Sequence, residues 1–160
     1  MADKTYTLAF TQQVTRPLAE VFNFFSRAES LEELTPPWLN FKILKAEPQP
    51  VQQGTVIHYS LRLHGIPLRW TSEIVEWEPP HRFVDLQLRG PYKLWRHEHR
   101  FEARDGGTLI SDTINLAIPL GLFLFDLCSL GIRQVCRTGD FEQQMELLCV
   151  VERVVAAACL

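Results

Sequence analysis

From Lys93 to Arg104 the residues change character at every step. Trp95, His97, His99, Phe101 and Ala103 fall on one side of an extended chain, and Arg96, Glu98, Arg100, Glu102 and Arg104 on the other. A period of two is the mark of a half-buried strand. The Arg/Glu row alternates in sign, which suits a face turned to water. Asp105-Gly106, followed by Gly107, then signals a hairpin, because tight turns need residues at positive φ. Pairing outward from Arg104 and Gly107 sets Phe101 against Ile110, His99 against Asp112, His97 against Ile114 and Trp95 against Leu116. Opposed side chains lie about 5 Å apart at Cβ, so the pattern predicts that His99 and Asp112 are within hydrogen-bonding reach.

The same alternation predicts strands over Thr5–Val14, Phe41–Glu47, Thr55–His64, Leu68–Trp77, Arg82–Leu88, Lys93–Ala103 and Thr108–Ala117. Gly54, Gly65 to Pro67, Pro79-Pro80 and Gly90-Pro91 break them. A turn at Gly65-Ile66 would set Leu61 against Trp70 and Tyr59 against Ser72. A short helix is expected over Pro17–Ser26, with its proline in the first turn. Another starts at Ser30, which has the capping-box spacing with Glu33, and stops at Pro36-Pro37. Phe141, Met145, Leu148, Val151 and Val155 recur at three and four, predicting a long carboxyl-terminal helix with a kink near Gly139. Successive hairpins imply an antiparallel meander, so the class is α+β.

Composition narrows the setting. The chain has 160 residues, 46% of them hydrophobic, which suits a single domain spanning residues 1–160. Lys+Arg 16 against Asp+Glu 19 leaves no basic stripe for nucleic acid. The amino end lacks the pattern of a signal peptide, which favours the cytoplasm. Cys128, Cys136, Cys149 and Cys159 have no C-x-x-C spacing and read as reduced thiols. Leu116 to Ile132 is apolar but short and interrupted by Pro119, Gly121 and Asp126, so no stable membrane insertion is expected. Val150, Val154 and Leu160 leave room for a homodimer through the last helix.

A curved antiparallel sheet of seven strands, two short helices and a long terminal helix enclosing a cavity is the helix-grip plan. The blocks RPLAEVFNFFS, LTPPWLNF, FVDLQLRGPYKLWRHEHRF, GGTLISD and AIPLG resemble the SRPBCC proteins, the START and polyketide-cyclase-like superfamily, in register from about Thr5 to Gly121. Beyond Gly121 the likeness fades, since IRQVCRTGDFEQQMELL stands where an Arg-rich helix would be expected. The resemblance implies a deep cavity between sheet and helix that takes a hydrophobic small molecule or lipid, with enzymes a minority among binders.

Several inward positions suit such a cavity. Tyr59, Leu61, Trp70 and Trp95 offer wall surface for an apolar body, and Trp38, after the Pro-Pro stop, falls where the mouth should be. The same residues would serve equally as ordinary core. If the Gly90-Pro91 turn preserves parity, Asp85 and Gln87 join His97, His99 and Asp112 on one polar wall. Three readings of that wall stay open. Asp112 and Asp85 could each orient one histidine as separate buried pairs; the groups could anchor a ligand's polar head; or His99 with Asp112 could act as a general base on an enolisable substrate. His-x-His on a strand could also share an ion with a carboxylate, yet no metal or phosphate motif is present, so neither metal nor cofactor is expected.

Overall fold

In the computed structural model, which describes residues 5–35, 37–63 and 66–117, one curved antiparallel sheet carries two short helices. The elements are β1 (Thr5–Val14), α1 (Leu18–Phe25), α2 (Ser30–Leu34), a 3-10 turn (Pro37–Leu39), β2 (Lys42–Glu47), β3 (Val56–Leu63), β4 (Ile66–Glu78), β5 (Arg82–Arg89), β6 (Leu94–Arg104) and β7 (Gly107–Ala117). The sheet order is β1-β7-β6-β5-β4-β3-β2. The meander runs β2 to β7, and β1 closes on its far side. This is the sheet of the helix-grip fold. The predicted terminal helix, its kink near Gly139, the dimer positions and the four cysteines lie outside the described residues.

Turn chemistry explains why β6 and β7 pair as they do. Gly106 stands at φ 84°, and a Cβ on Gly107 (φ 155°) would come within 1.8 Å of the Val14 carbonyl oxygen. Only glycine tolerates that approach of β1 to the hairpin. The register follows the expectation: His99 opposes Asp112, His97 opposes Ile114 and Phe101 opposes Ile110.

Elsewhere the structure corrects the reading. Leu63 pairs with Ile66, so Tyr59 opposes Trp70, Leu61 opposes Leu68 and Ile57 opposes Ser72. The turn is centred one residue earlier than Gly65-Ile66. That moves each partner by two positions and keeps every side chain on its predicted face. Ser30 does not cap α2: no side-chain cap forms, and its buried hydroxyl has no partner. The chain is already turning upstream, where Leu31 N–H donates to the Ala28 carbonyl and Glu32 N–H, an amide that a Ser30 cap would take, donates to the Glu29 carbonyl. Pro17 precedes α1 as its N-cap and does not sit inside the first turn.

Helix α1 lays its apolar side on β6 and β7. Phe22 packs edge-on against Phe83 and Phe101, with ring centroids 6.2 and 5.6 Å away, and tilts over Trp77 at 5.2 Å. Burying one such ring is worth roughly 1.5–3 kcal/mol. The second apolar cluster joins Trp70, Trp95, Ile114 and Leu116 farther along the same sheet face. The β4–β5 pairing shifts register at Thr71/Ser72, where Leu88 of β5 is left out, and at Ile74/Glu76, where Val75 of β4 is left out, as in β-bulges.

The opposite face is less wet than an alternating Arg/Glu row suggests. Glu98 has a side chain only 15% exposed, because Arg82, Arg96 and Arg100 close over it. Arg82 bridges Glu76, Glu78 and Glu98 at once. Although burial raises the Glu98 carboxyl, its arginine partners hold it below the usual value.

Candidate functional site

Between the sheet and the α1–α2 segment lies a cavity. Phe25, Leu31, Leu34 and Leu39 form one side, and Ile57, Tyr59, Leu61, Leu68, Trp70 and Trp95 the other. The aromatic part is ordered by direct ring contacts. Tyr59 stacks on Trp70 (5.9 Å between centroids, 18° between planes), and Trp95 meets Trp70 edge-on at 5.5 Å. Trp70 Nε1 donates to Ser72 Oγ at 3.1 Å, and Tyr59 Oη lies 3.3 Å from the same oxygen. One serine thereby satisfies two buried aromatic polar atoms. Burial, and then the negative charge of Asp85, push the Tyr59 phenol well above its ordinary pKa, against the opposing Ser72 bond.

The polar wall grows from strand parity. Asp85 on β5 opposes His97 on β6, Phe83 opposes His99, and His99 opposes Asp112 on β7. All five side chains point to one sheet face, and the two imidazole centroids come within 3.8 Å. Asp112 has a fully buried side chain, and its Oδ1 lies 3.2 Å from His97 Nε2 and 2.7 Å from His99 Nδ1. The contact to His97 is a hydrogen bond, whereas the oxygen sits off the ring N–H direction of His99. Asp85 Oδ2 lies 3.6 Å from His97 Nδ1 and 3.5 Å from His99 Nε2. Of the three readings of this wall, that of two separate pairs does not match the geometry: each carboxylate has an oxygen within 3.6 Å of both histidines. With centroids so close, each ring's two nitrogens reach one aspartate on either side.

Electrostatics follow from this packing. Burial alone would drive the proton off His99, but Asp112 and Asp85 outweigh it and push the imidazole up to about 9. Burial likewise acts to raise Asp112, yet His97 and His99 hold it well below the carboxylate range. Phe83 stacks on the His99 ring at 4.3 Å and 28°, and Phe25 approaches it from α1 at 6.1 Å. His99 is thus a charged ring held between apolar faces.

Of the residues named from sequence, Tyr59, Leu61, Trp70, Asp85, Trp95, His97 and His99 line the cavity. Asp112 stands behind the histidines, out of the cavity. Gln87 is turned to the β5–β6 connection, where its amide donates to the Tyr92 carbonyl at 2.7 Å and its Oε1 accepts from Tyr92 N–H at 3.4 Å. The Trp38 side chain lies outside the described residues. Sequence reasoning passed over Tyr92, which packs on Trp70 and Trp95 at 5.7 and 5.0 Å, because the Gly90-Pro91 break before it reads as loop. It also passed over the α2 leucines, whose helix is too short to show a stripe.

A family model for polyketide cyclase / dehydrase and lipid transport proteins matches residues 14–138. The chain belongs to this family. The polyketide cyclase / dehydrase and lipid transport fold recurs in solved structures of low identity. A START superfamily protein from Mycobacterium smegmatis superposes with a TM-score of 0.63 at 10% identity, over 92% of this chain and 98% of that one. Ginseng major latex-like protein 151 from Panax ginseng gives 0.60 at 13%, over 98% of both chains. The di-domain ARO/CYC BexL from the BE-7585A biosynthetic pathway gives 0.58 at 19%, covering 96% of this chain and 46% of that one. No curated protein matches the sequence. No helix among the described residues is long and apolar enough to cross a membrane.

Proposed function

We propose that the protein binds or carries a hydrophobic small molecule or lipid in the cavity between the sheet and the α1–α2 segment. The observation that carries this reading is the division of labour in the wall. Tyr59, Trp70, Tyr92 and Trp95 supply a continuous aromatic surface, while Asp85, His97 and His99 bring charge and hydrogen bonding to one strand pair of the same wall. A ligand with an apolar body and one polar end matches both parts. Gln87 and Asp112 act on this wall from outside it, Gln87 by fixing Tyr92 and Asp112 by holding the imidazoles. The family includes lipid transport, which agrees with carriage.

The decisive experiment is native mass spectrometry of protein purified from its own host, followed by tryptophan fluorescence titration with any molecule released. Co-purification of an apolar ligand that quenches Trp70 and Trp95 emission supports the reading. A wild-type protein that neither retains nor binds any apolar molecule refutes it.

A second reading is cyclisation or dehydration of the bound molecule. The charged state of His99 favours it in one form only. An imidazole raised to about 9 already holds its proton at neutral pH, so His99 would donate to a substrate oxygen and not abstract a proton as a general base. His99→Gln separates the readings. Lost turnover with retained affinity supports an enzyme; weakened binding with no reaction in the wild type supports a carrier.

A further inference from the structure

We infer that Asp85, His97 and His99 form a binding site for a divalent transition-metal ion, with zinc the best match, open toward the cavity. The three donor atoms, one from each residue, lie within 4.8 Å of one another. Asp85 Oδ2 is 3.6 Å from His97 Nδ1 and 3.5 Å from His99 Nε2. Those distances are long for hydrogen bonds, whose N···O separations run from about 2.7 to 3.2 Å. They suit two ligands sharing an ion: with zinc bonds of about 2.0–2.1 Å, the edge of a tetrahedron measures about 3.4 Å. Asp85 Oδ2 stands from each imidazole nitrogen at close to that edge.

The surroundings support the assignment. Asp112 Oδ1 contacts the far nitrogens, His97 Nε2 and His99 Nδ1, at 3.2 and 2.7 Å. A carboxylate behind a histidine ligand fixes its tautomer, turning the ring's lone pair toward the metal and raising its basicity. Here one buried aspartate stands behind both rings, hydrogen-bonded to His97 Nε2 and in contact with His99 Nδ1, so that the opposite nitrogens, His97 Nδ1 and His99 Nε2, lie toward Asp85 Oδ2. A dication would take the place of the His99 proton, which metal binding releases, and would face the two carboxylates, Asp85 and Asp112, in an enclosed place. Two nitrogen donors select a first-row transition metal over magnesium or calcium, which prefer oxygen. All three donors line the cavity, so positions left to water or a ligand oxygen fall on that side. Three protein ligands with an open position is the arrangement of reactive zinc sites. The inference holds whatever apolar molecule the cavity takes.

The test uses the full chain stripped with chelator and titrated with zinc chloride by calorimetry and with cobalt(II) by visible absorption. One equivalent is expected for the wild type. Asp85→Asn or His99→Gln should weaken it more than about 100-fold, and Asp112→Asn by about 10–100-fold. Because a buried substitution can prevent folding, imidazole 15N spectra of the wild type are recorded in parallel. Zinc should move the His97 and His99 nitrogens and leave His58 and His81 in place. Absence of stoichiometric binding, binding unchanged in a folded Asp85→Asn/His99→Gln protein, or shifts confined to His58 or His81 would overturn the assignment.

Discussion

Replacing Asp112 by Asn gives the sharpest measure of how the buried cluster is held together, provided the protein is kept metal-free with chelator. His99 stands at about 9 in the fold against an ordinary 6.5. At about 1.4 kcal/mol per pH unit, that difference corresponds to about 3 kcal/mol of stabilisation. The charged groups facing the ring are Asp112 from β7 and Asp85 from β5, with His97 beside it on β6; α1 contributes only Phe25. A folded-state value raised above the unfolded one means the stabilisation is complete below about 6.5 and is lost as pH rises through about 9. Asp112 is shifted the other way, so its contribution is present above the ordinary carboxylate range and is lost as pH falls. Between pH 6 and 9 the wild type should therefore lose about 3 kcal/mol, moving a urea midpoint by about 1–2 M. Asp112→Asn should already be less stable at pH 6 by a part of that energy, Asp85 supplying the rest, and its stability should change less up to pH 9 than that of the wild type. Urea unfolding of both proteins at the two pH values decides the matter. A variant that keeps the wild-type slope, or a wild type whose stability is flat across this range, would refute the electrostatic account.

Other outcomes follow from packing. Trp70→Ala should cost about 3–5 kcal/mol in chemical unfolding and abolish quenching by an apolar probe, whereas Trp70→Phe should retain part of both. Gly107→Ala places a methyl against the Val14 carbonyl and should destabilise by more than about 1 kcal/mol, with loss of hydrogen-exchange protection first in β1; an unchanged midpoint would contradict the close approach. Arg82→Ala leaves Glu76, Glu78 and Glu98 with fewer counter-charges, Arg96 and Arg100 remaining, and its thermal midpoint should fall by less in high salt than in low, since salt screens the excess negative charge left behind.

Parity carried most of what the residues alone could tell. Asp105-Gly106 allows one hairpin frame, so the β6–β7 register and the His99–Asp112 contact were legible outright. The stretch from His64 to Pro67 admits two frames that leave every face unchanged, and alternation has no means of choosing between them. Which rings line the wall was legible for the same reason: inward positions survive a two-residue slip. The convergence of Asp85 and Asp112 on both histidines was not, because it depends on diagonal reach and ring tilt across three strands. Nor was Gln87's turn away from the wall, set by a local bond to Tyr92 that strand counting ignores. The covering of Glu98 escaped for a similar reason: arginine stems are long enough to fold over a neighbour that alternation assigns to water.

The strand order has a consequence for synthesis. Among the described strands β1 pairs with β7, and Val14 meets Thr108 across most of the chain. At about 5–20 residues per second, β1 leaves the ribosome roughly 5–20 s before its partner. During that interval β2 to β6 can already zip hairpin by hairpin, while the amino-terminal strand waits as an unpaired edge. Its alternation of exposed and half-buried residues, with only Val14 fully buried, gives a strand modest in stickiness until β7 arrives to receive it. Asp112 travels on that same late strand, so the histidines on β6 acquire their buried counter-charge in the step that locks the two ends of the sheet together.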